Sequence, residues 1–206
     1  MLGRMTLHIE TVSDALLALL RDFMAAPELD AFHLVGGTAL ALRFGHRESI
    51  DIDLFTEQPY NAADLSHWLE STYPTTEVVT HNNTVLARVN GIKVDLIAHQ
   101  YPLIDKVDTL DGVRLLSLKD IAALKLNAIA NRGSKKDFWD YALLLKHFDR
   151  DSLLSFFQMK YPNASLWNLE KSLCYFDDAE KEPDPVDRSG QTWEQLKLTI
   201  QQSNKF

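Results

Sequence analysis

The chain has 206 residues, 46% of them apolar and 24% charged, the composition of a soluble globular protein long enough to bury a substantial core. Its formal net charge of -8 excludes a generic nucleic-acid coat, because such proteins neutralise phosphates with surplus Lys and Arg. No apolar run approaches the roughly 20 residues of a membrane helix. Glu10 and Asp14 break up the N-terminal apolar piece and no small-residue cleavage site follows, so a signal peptide is not expected either. Cys174 is the single cysteine, which excludes an intrachain disulfide or thiolate metal cluster and fits a reducing cytoplasm.

In chain order, residues 11–25 predict a helix, with Leu16, Leu17, Leu19, Leu20 and Phe23 at helical spacing behind a capping Ser13. "FHLV" reads as a short buried strand that ends at Gly36 and Gly37, with a helix starting at Thr38. "SIDIDLFT" alternates and is β-branched, hence a strand, and residues 61–72 read as a helix. "TEVVTH", "TVLARV" and "IKVDLIAH" form an antiparallel meander, the last turn being Asn90-Gly91, whose residues tolerate the positive φ of a type I′ turn. "GVRLL" is a further strand candidate. Two helices follow, opened by Ser117 with Asp120 and by Ser134 with Asp137 in capping-box spacing, and Gly133 closes the first. Beyond about residue 151 the chain reads as helical, with an acidic, proline-bearing linker before "TWEQLKLTIQQ". The expected fold class is α+β: a mixed sheet with flanking helices in residues 1–113, then a helical region in 114–206.

Two aspartates inside one short apolar strand need a reason. Asp51 and Asp53 project from one face about 7 Å apart, too far to share a proton but well placed for a hard cation. Asp95 stands in a second apolar alternating run, and if the two strands are neighbours it reaches the same point. Three such carboxylates without Cys or paired His select Mg²⁺ or Mn²⁺ over zinc. The glycine pair joins a strand to a helix N-terminus, where the backbone can approach a phosphate closely.

An apolar residue, a glycine pair, thirteen intervening residues and then Asp–apolar–Asp resemble the signature of the DNA polymerase β-like nucleotidyltransferase superfamily. The stretch "LVGGTALALRFGHRESIDIDLF" and the later "SLKDIAALKLNAIANRGSKKDFWDYALLL" are similar to the AbiEii/AbiGii abortive-infection toxin family over roughly residues 30–146. The resemblance implies a minimal nucleotidyltransferase sheet with a helical C-terminal region, and a nucleoside triphosphate as substrate. It assigns Gly36, Gly37, Thr38, Arg47, Ser49, Lys125 and Arg132 to the nucleotide and Asp51, Asp53 and Asp95 to metal. Those three aspartates together with Lys125 and Asp137 become the catalytic set. It further implies a toxin of a toxin–antitoxin pair, with a cognate antitoxin and a tRNA or protein acceptor as partners and no membrane.

Several of these residues have a plainer reading. Lys125 sits among alanines and leucines and could snorkel from a buried helix; seven residues on, Arg132 shares its face, so the two could also span a triphosphate. Asp137 could be only a helix cap, and Asp140 could pair with Lys136 one turn away. His46, His81 and His99 read as structural or surface histidines. Residues 114–147 hold seven Lys or Arg against three Asp, a net of +4, which is either a solvated helical face or a contact for RNA. Two other function classes stay open: transfer to a small molecule such as an aminoglycoside, and a non-catalytic module that binds nucleotide or antitoxin.

Overall fold

The computed structural model describes residues 6–204, so the first five residues of the expected core and the last two of the expected helical region lie outside the described residues. The chain divides into two compact units. One comprises Met1–Phe44, Ser49–Pro102 and Val107–Leu116; the other comprises Gly45–Glu48, Leu103–Lys106 and Ser117–Phe206.

The first unit runs α1 (Asp14–Ala25), β1 (His33–Leu34), α2 (Gly36–Phe44), β2 (Ile52–Thr56), α3 (Ala62–Thr72), β3 (Thr75–His81), β4 (Thr84–Val89), β5 (Ile92–Ala98), β6 (Asp108–Leu110) and β7 (Val113–Leu115). Side chains start its helices: Ser13 accepts the Leu16 N–H and Asn61 that of Ala63, each satisfying an otherwise unpaired donor. Asn90 and Gly91, at φ 51° and 79°, turn β4 into β5. Asp111 and Gly112 repeat that turn at φ 46° and 83° and create β6, a strand of three residues too short to show an alternating pattern. Two sequence boundaries shift. Helix α2 already begins at Gly36, and Asp51 lies just ahead of β2.

The seven strands are ordered β3-β4-β5-β2-β1-β7-β6, with β1–β7 and β2–β5 parallel and the remaining neighbours antiparallel. Register partners share a face, so Leu115, Leu34, Leu54, Leu96 and Val85 form one continuous row across five strands, every member fully buried. Helices α1, α2 and α3 pack against β7, β2 and the β3–β4 pair respectively. The opposite face carries Asp53, Phe55, Asp95 and Ile97, all half-buried. That face holds the polar chemistry.

The second unit contains α4 (Leu118–Asn131), α5 (Lys135–Leu144), α6 (Arg150–Lys160), α7 (Leu166–Ser172) and α8 (Trp193–Ser203). Helix α4 packs on α5, α6 and α7, and α5 also packs on α8. The α5–α8 contact is aromatic: Trp139 stacks on Trp193 at 5.8 Å, with Phe138 and Phe176 edge-on to Trp193. Ser117 caps α4 by accepting the Asp120 N–H, and Gly133 follows the helix at φ 55°. The expected box at Ser134 does not form, because its hydroxyl donates to the Asp137 carboxylate instead of accepting the Asp137 N–H. A true capping box starts α8 at Thr192 and Gln195. Among the described residues no helix is long and apolar enough to cross a membrane.

One buried ion pair ties α4 to α6. Lys160 Nζ lies 2.7 Å from Asp120 Oδ1, and Asp120 also accepts the Ile104 and Asp105 N–H groups. Removing one partner of such a pair leaves an uncompensated buried charge. Asp120→Ala is therefore expected to lower unfolding free energy by about 3–5 kcal/mol, read as a drop in urea midpoint.

Candidate active site

In the first unit, Asp53 and Asp95 are direct register partners on the parallel strands β2 and β5. Adjacent strands lie about 4.8 Å apart, so the two carboxylates leave the same face side by side. Val35 N–H donates to the Asp53 carbonyl at 2.9 Å, which brings the glycine turn against this point. Gly36 has φ 71°, and a Cβ there would collide with Asp53 Oδ2 and stand 3.2 Å from its Cγ. Only glycine meets both demands. Asp51 is held through its backbone: the Thr38 hydroxyl donates to the Asp51 carbonyl at 2.5 Å and shares a 2.8 Å hydrogen bond with Ser49. Thr38 and Ser49 are buried, so their hydroxyls position the aspartate segment.

Lys93, two residues before Asp95 on β5, was not singled out in the sequence. Its ammonium lies 2.7 Å from Asp95 Oδ2. Burial acts to lower its pKa, but the hydrogen bond and charge of Asp95, reinforced by Asp53 and Asp51, hold it above the usual lysine value. The other oxygen, Asp95 Oδ1, is buried with no hydrogen-bond partner among the described residues. An all-oxygen donor set with an orphaned buried carboxylate oxygen fits a hard divalent cation. Among the described residues no three acidic, His or Cys side chains already form a metal cage. The fit is to carboxylates that gather on a cation, with Lys93 meanwhile on one of them.

The second unit gathers Arg47, Lys125, Arg132 and Asp137 around a residue read only as a surface partner of Lys136. Asp140 is fully buried at the centre. Arg47 Nε and Nη2 grip its two oxygens at 2.7 and 2.8 Å, His46 Nε2 lies 2.8 Å away, and Lys125 Nζ lies 2.7 Å away. Lys125 also reaches Asp137 at 3.2 Å, and Arg132 holds Asp137 through Nε and Nη2 at 2.8 and 3.0 Å. Lys125 and Arg132 thus converge on one carboxylate. Burial alone would raise both carboxyls, but the Lys125 charge with the Arg132 and Ser134 hydrogen bonds holds Asp137 low, and Arg47 with Lys125 holds Asp140 well below the usual range. The sequence signal for Asp140 was available: an acid in the apolar run "FWDYALLL" is costly unless paired.

The family model described as the nucleotidyl transferase AbiEii toxin of type IV toxin–antitoxin systems matches residues 18–89. An uncharacterized protein of Aquifex aeolicus (strain VF5), aq_aa25, is 38% identical over 157 residues, covering 73% of this chain and 76% of that one. The chain belongs to the AbiEii nucleotidyltransferase toxin family. Solved structures agree on a nucleotidyltransferase fold. MenT4, a nucleotidyltransferase toxin from Mycobacterium tuberculosis H37Rv, superposes with a TM-score of 0.59 at 11% identity, covering 92% of this chain and 82% of its own. JHP933 from Helicobacter pylori gives 0.57 at 19% identity, covering 94% and 91%.

Two expectations follow for this AbiEii protein. A carboxyl held below its unfolded value of 3.8 stabilises the fold above that pH and loses its contribution as pH falls towards the folded pKa. Asp140→Asn should cost about 3–5 kcal/mol at pH 7, with the gap to wild type narrowing below pH 3.8 in urea titrations. Gly36→Ala should lose about 1 kcal/mol or more from the positive φ alone, with a further loss from the clash with Asp53, read as a drop in urea midpoint.

Proposed function

We propose that this protein transfers a nucleoside monophosphate from a nucleoside triphosphate to an acceptor hydroxyl, with Mg²⁺ or Mn²⁺, as the toxin of a toxin–antitoxin pair. One observation carries the reading: Asp53 and Asp95 emerge as register partners beside a positive-φ glycine at the N-terminus of α2. Asp51, Asp53 and Asp95 are the cation ligands. The bound cation supplies Lewis acidity at the α-phosphate and neutralises the departing pyrophosphate. Gly36 and Gly37 let the triphosphate approach the free N–H groups and dipole of α2. Asp95 is the group placed to take the proton of the attacking hydroxyl. Thr38 and Ser49 serve by fixing the segment that carries Asp51.

Arg47, Lys125, Arg132 and Asp137 act as positioning residues, since each is engaged in the network around Asp137 and Asp140. Of the seven cations in residues 114–147, Lys119, Lys125, Arg132 and Lys135 are ion-paired within their own unit. That leaves little free positive charge for an RNA backbone and favours a protein hydroxyl over tRNA. The reaction belongs in the cytoplasm with its nucleotide substrate, and a cognate antitoxin protein is the partner that restrains it.

The test is incorporation of label from each α-labelled nucleoside triphosphate into cell extract. Label is expected with Mg²⁺ or Mn²⁺ in a protease-sensitive product; RNase-sensitive product would move the acceptor to RNA. The Asp51→Ala, Asp53→Ala double variant should incorporate at least about a hundredfold less. Undiminished label in that variant would sink the reading.

A further inference from the structure

The family resemblance assigns Lys93 no role, yet its ammonium pairs with Asp95 on the carboxylate face. It sits two residues before Asp95 on β5, hence on the same face, and opposite Arg88 of β4. Its side chain is 47% exposed while that of Asp95 is 16% exposed. The ammonium therefore rides on a flexible stem at the mouth of the site and reaches inward to Asp95 Oδ2 at 2.7 Å. Asp95 cannot give both oxygens to a divalent cation while this pair is intact.

We propose that Lys93 is a built-in counter-ion that makes the site take its cation as the nucleotide complex and resist the free ion. The inference rests on the metal reading given above. The physical argument is a competition for one carboxylate. A free divalent cation arriving at Asp95 must displace an ammonium and then tolerate it nearby, like charge beside like charge. A cation that arrives on a triphosphate brings a polyanion with it, and the displaced ammonium gains a partner in place of the one it lost. Lys93 thus opposes the free ion and favours the complex, a coupling between two ligands of the sort that linkage requires to be reciprocal. Without it, Asp51, Asp53 and Asp95 would stand with less compensation whenever the site holds no cation. Lys93 is a positioning residue in this scheme, since it acts through Asp95.

The experiment is calorimetric titration of the full chain with Mn²⁺ alone, and with Mn²⁺ plus a non-hydrolysable nucleoside triphosphate analogue. Lys93→Met is expected to bind Mn²⁺ alone about threefold to fivefold tighter than wild type, the range of a partly exposed ion pair. Lys93→Arg should stay near wild type, and the gain should vanish in an Asp95→Asn background, as a specific pair requires. With the analogue present the gain should disappear or reverse. In chelator, Lys93→Met should melt lower than wild type and recover more on adding Mn²⁺. Equal or weaker Mn²⁺ binding by Lys93→Met would overturn the inference and leave the metal reading intact, as would a gain of equal size with and without analogue. Wild-type protein that binds no Mn²⁺ in an Asp53-dependent way would overturn both.

Discussion

Two carboxylates that are register partners on neighbouring strands repel one another, and the first unit is arranged around that repulsion. Asp53 and Asp95 are fixed by the β2–β5 ladder, so neither can retreat along the sheet. Burying them completely would demand neutralisation inside the protein; exposing them fully would let water screen them and weaken their hold on any cation. The structure takes the intermediate course. The row of Leu34, Leu54 and Leu96 is buried on one side of the strands, and the acids stand half-buried on the other. Gly36 is a consequence of this arrangement, because the turn into α2 passes so close to Asp53 that no side chain fits.

The second unit deals with buried charge in the opposite manner. Around Asp137 and Asp140, three cations, Arg47, Lys125 and Arg132, meet two carboxylates through close and partly bidentate hydrogen bonds. Such a network stabilises little relative to an apolar core, but it is severe on any broken member and so admits a single arrangement. Arg47 is informative here. It is separated in the chain from Asp51 by three residues, yet it belongs to the helical unit with Gly45, His46 and Glu48. A motif that looks continuous in sequence, from the glycine pair to the aspartates, therefore supplies side chains to two different units.

How much of this was legible in the sequence differs by kind of interaction. Features set by local chemistry could be read directly: Ser13 and Ser117 as caps, Asn90-Gly91 as a turn, Gly133 as a helix end. The spacing of Asp51 and Asp53 was equally plain. That β5 lies beside β2, with Asp95 level with Asp53, is a property of strand order, to which no local pattern corresponds. The same holds for Asp140, whose partners lie 15 and 93 residues away in the chain at Lys125 and Arg47. Strand β6 failed for another reason: three residues cannot display a period of two convincingly, and only the Asp111-Gly112 turn signals it. Lys93 has no signal of its own, because a lysine on an alternating strand has the pattern of an ordinary solvent-facing residue.

On the proposed function, magnitudes separate Lys125 from Lys93. Lys125 is the one that the family resemblance points to, but it is nearly fully buried and bridges Asp137 and Asp140. Moving its ammonium to a phosphate would strand charge on two buried carboxylates, at a cost of about 3–5 kcal/mol or more. Lys93 holds a single carboxylate from a half-exposed position, where an ion pair contributes about 1 kcal/mol or less. A triphosphate readily offsets the second and not the first. Lys125 accordingly holds the helical unit in one arrangement, whereas on the reading proposed above Lys93 exchanges Asp95 for a phosphate.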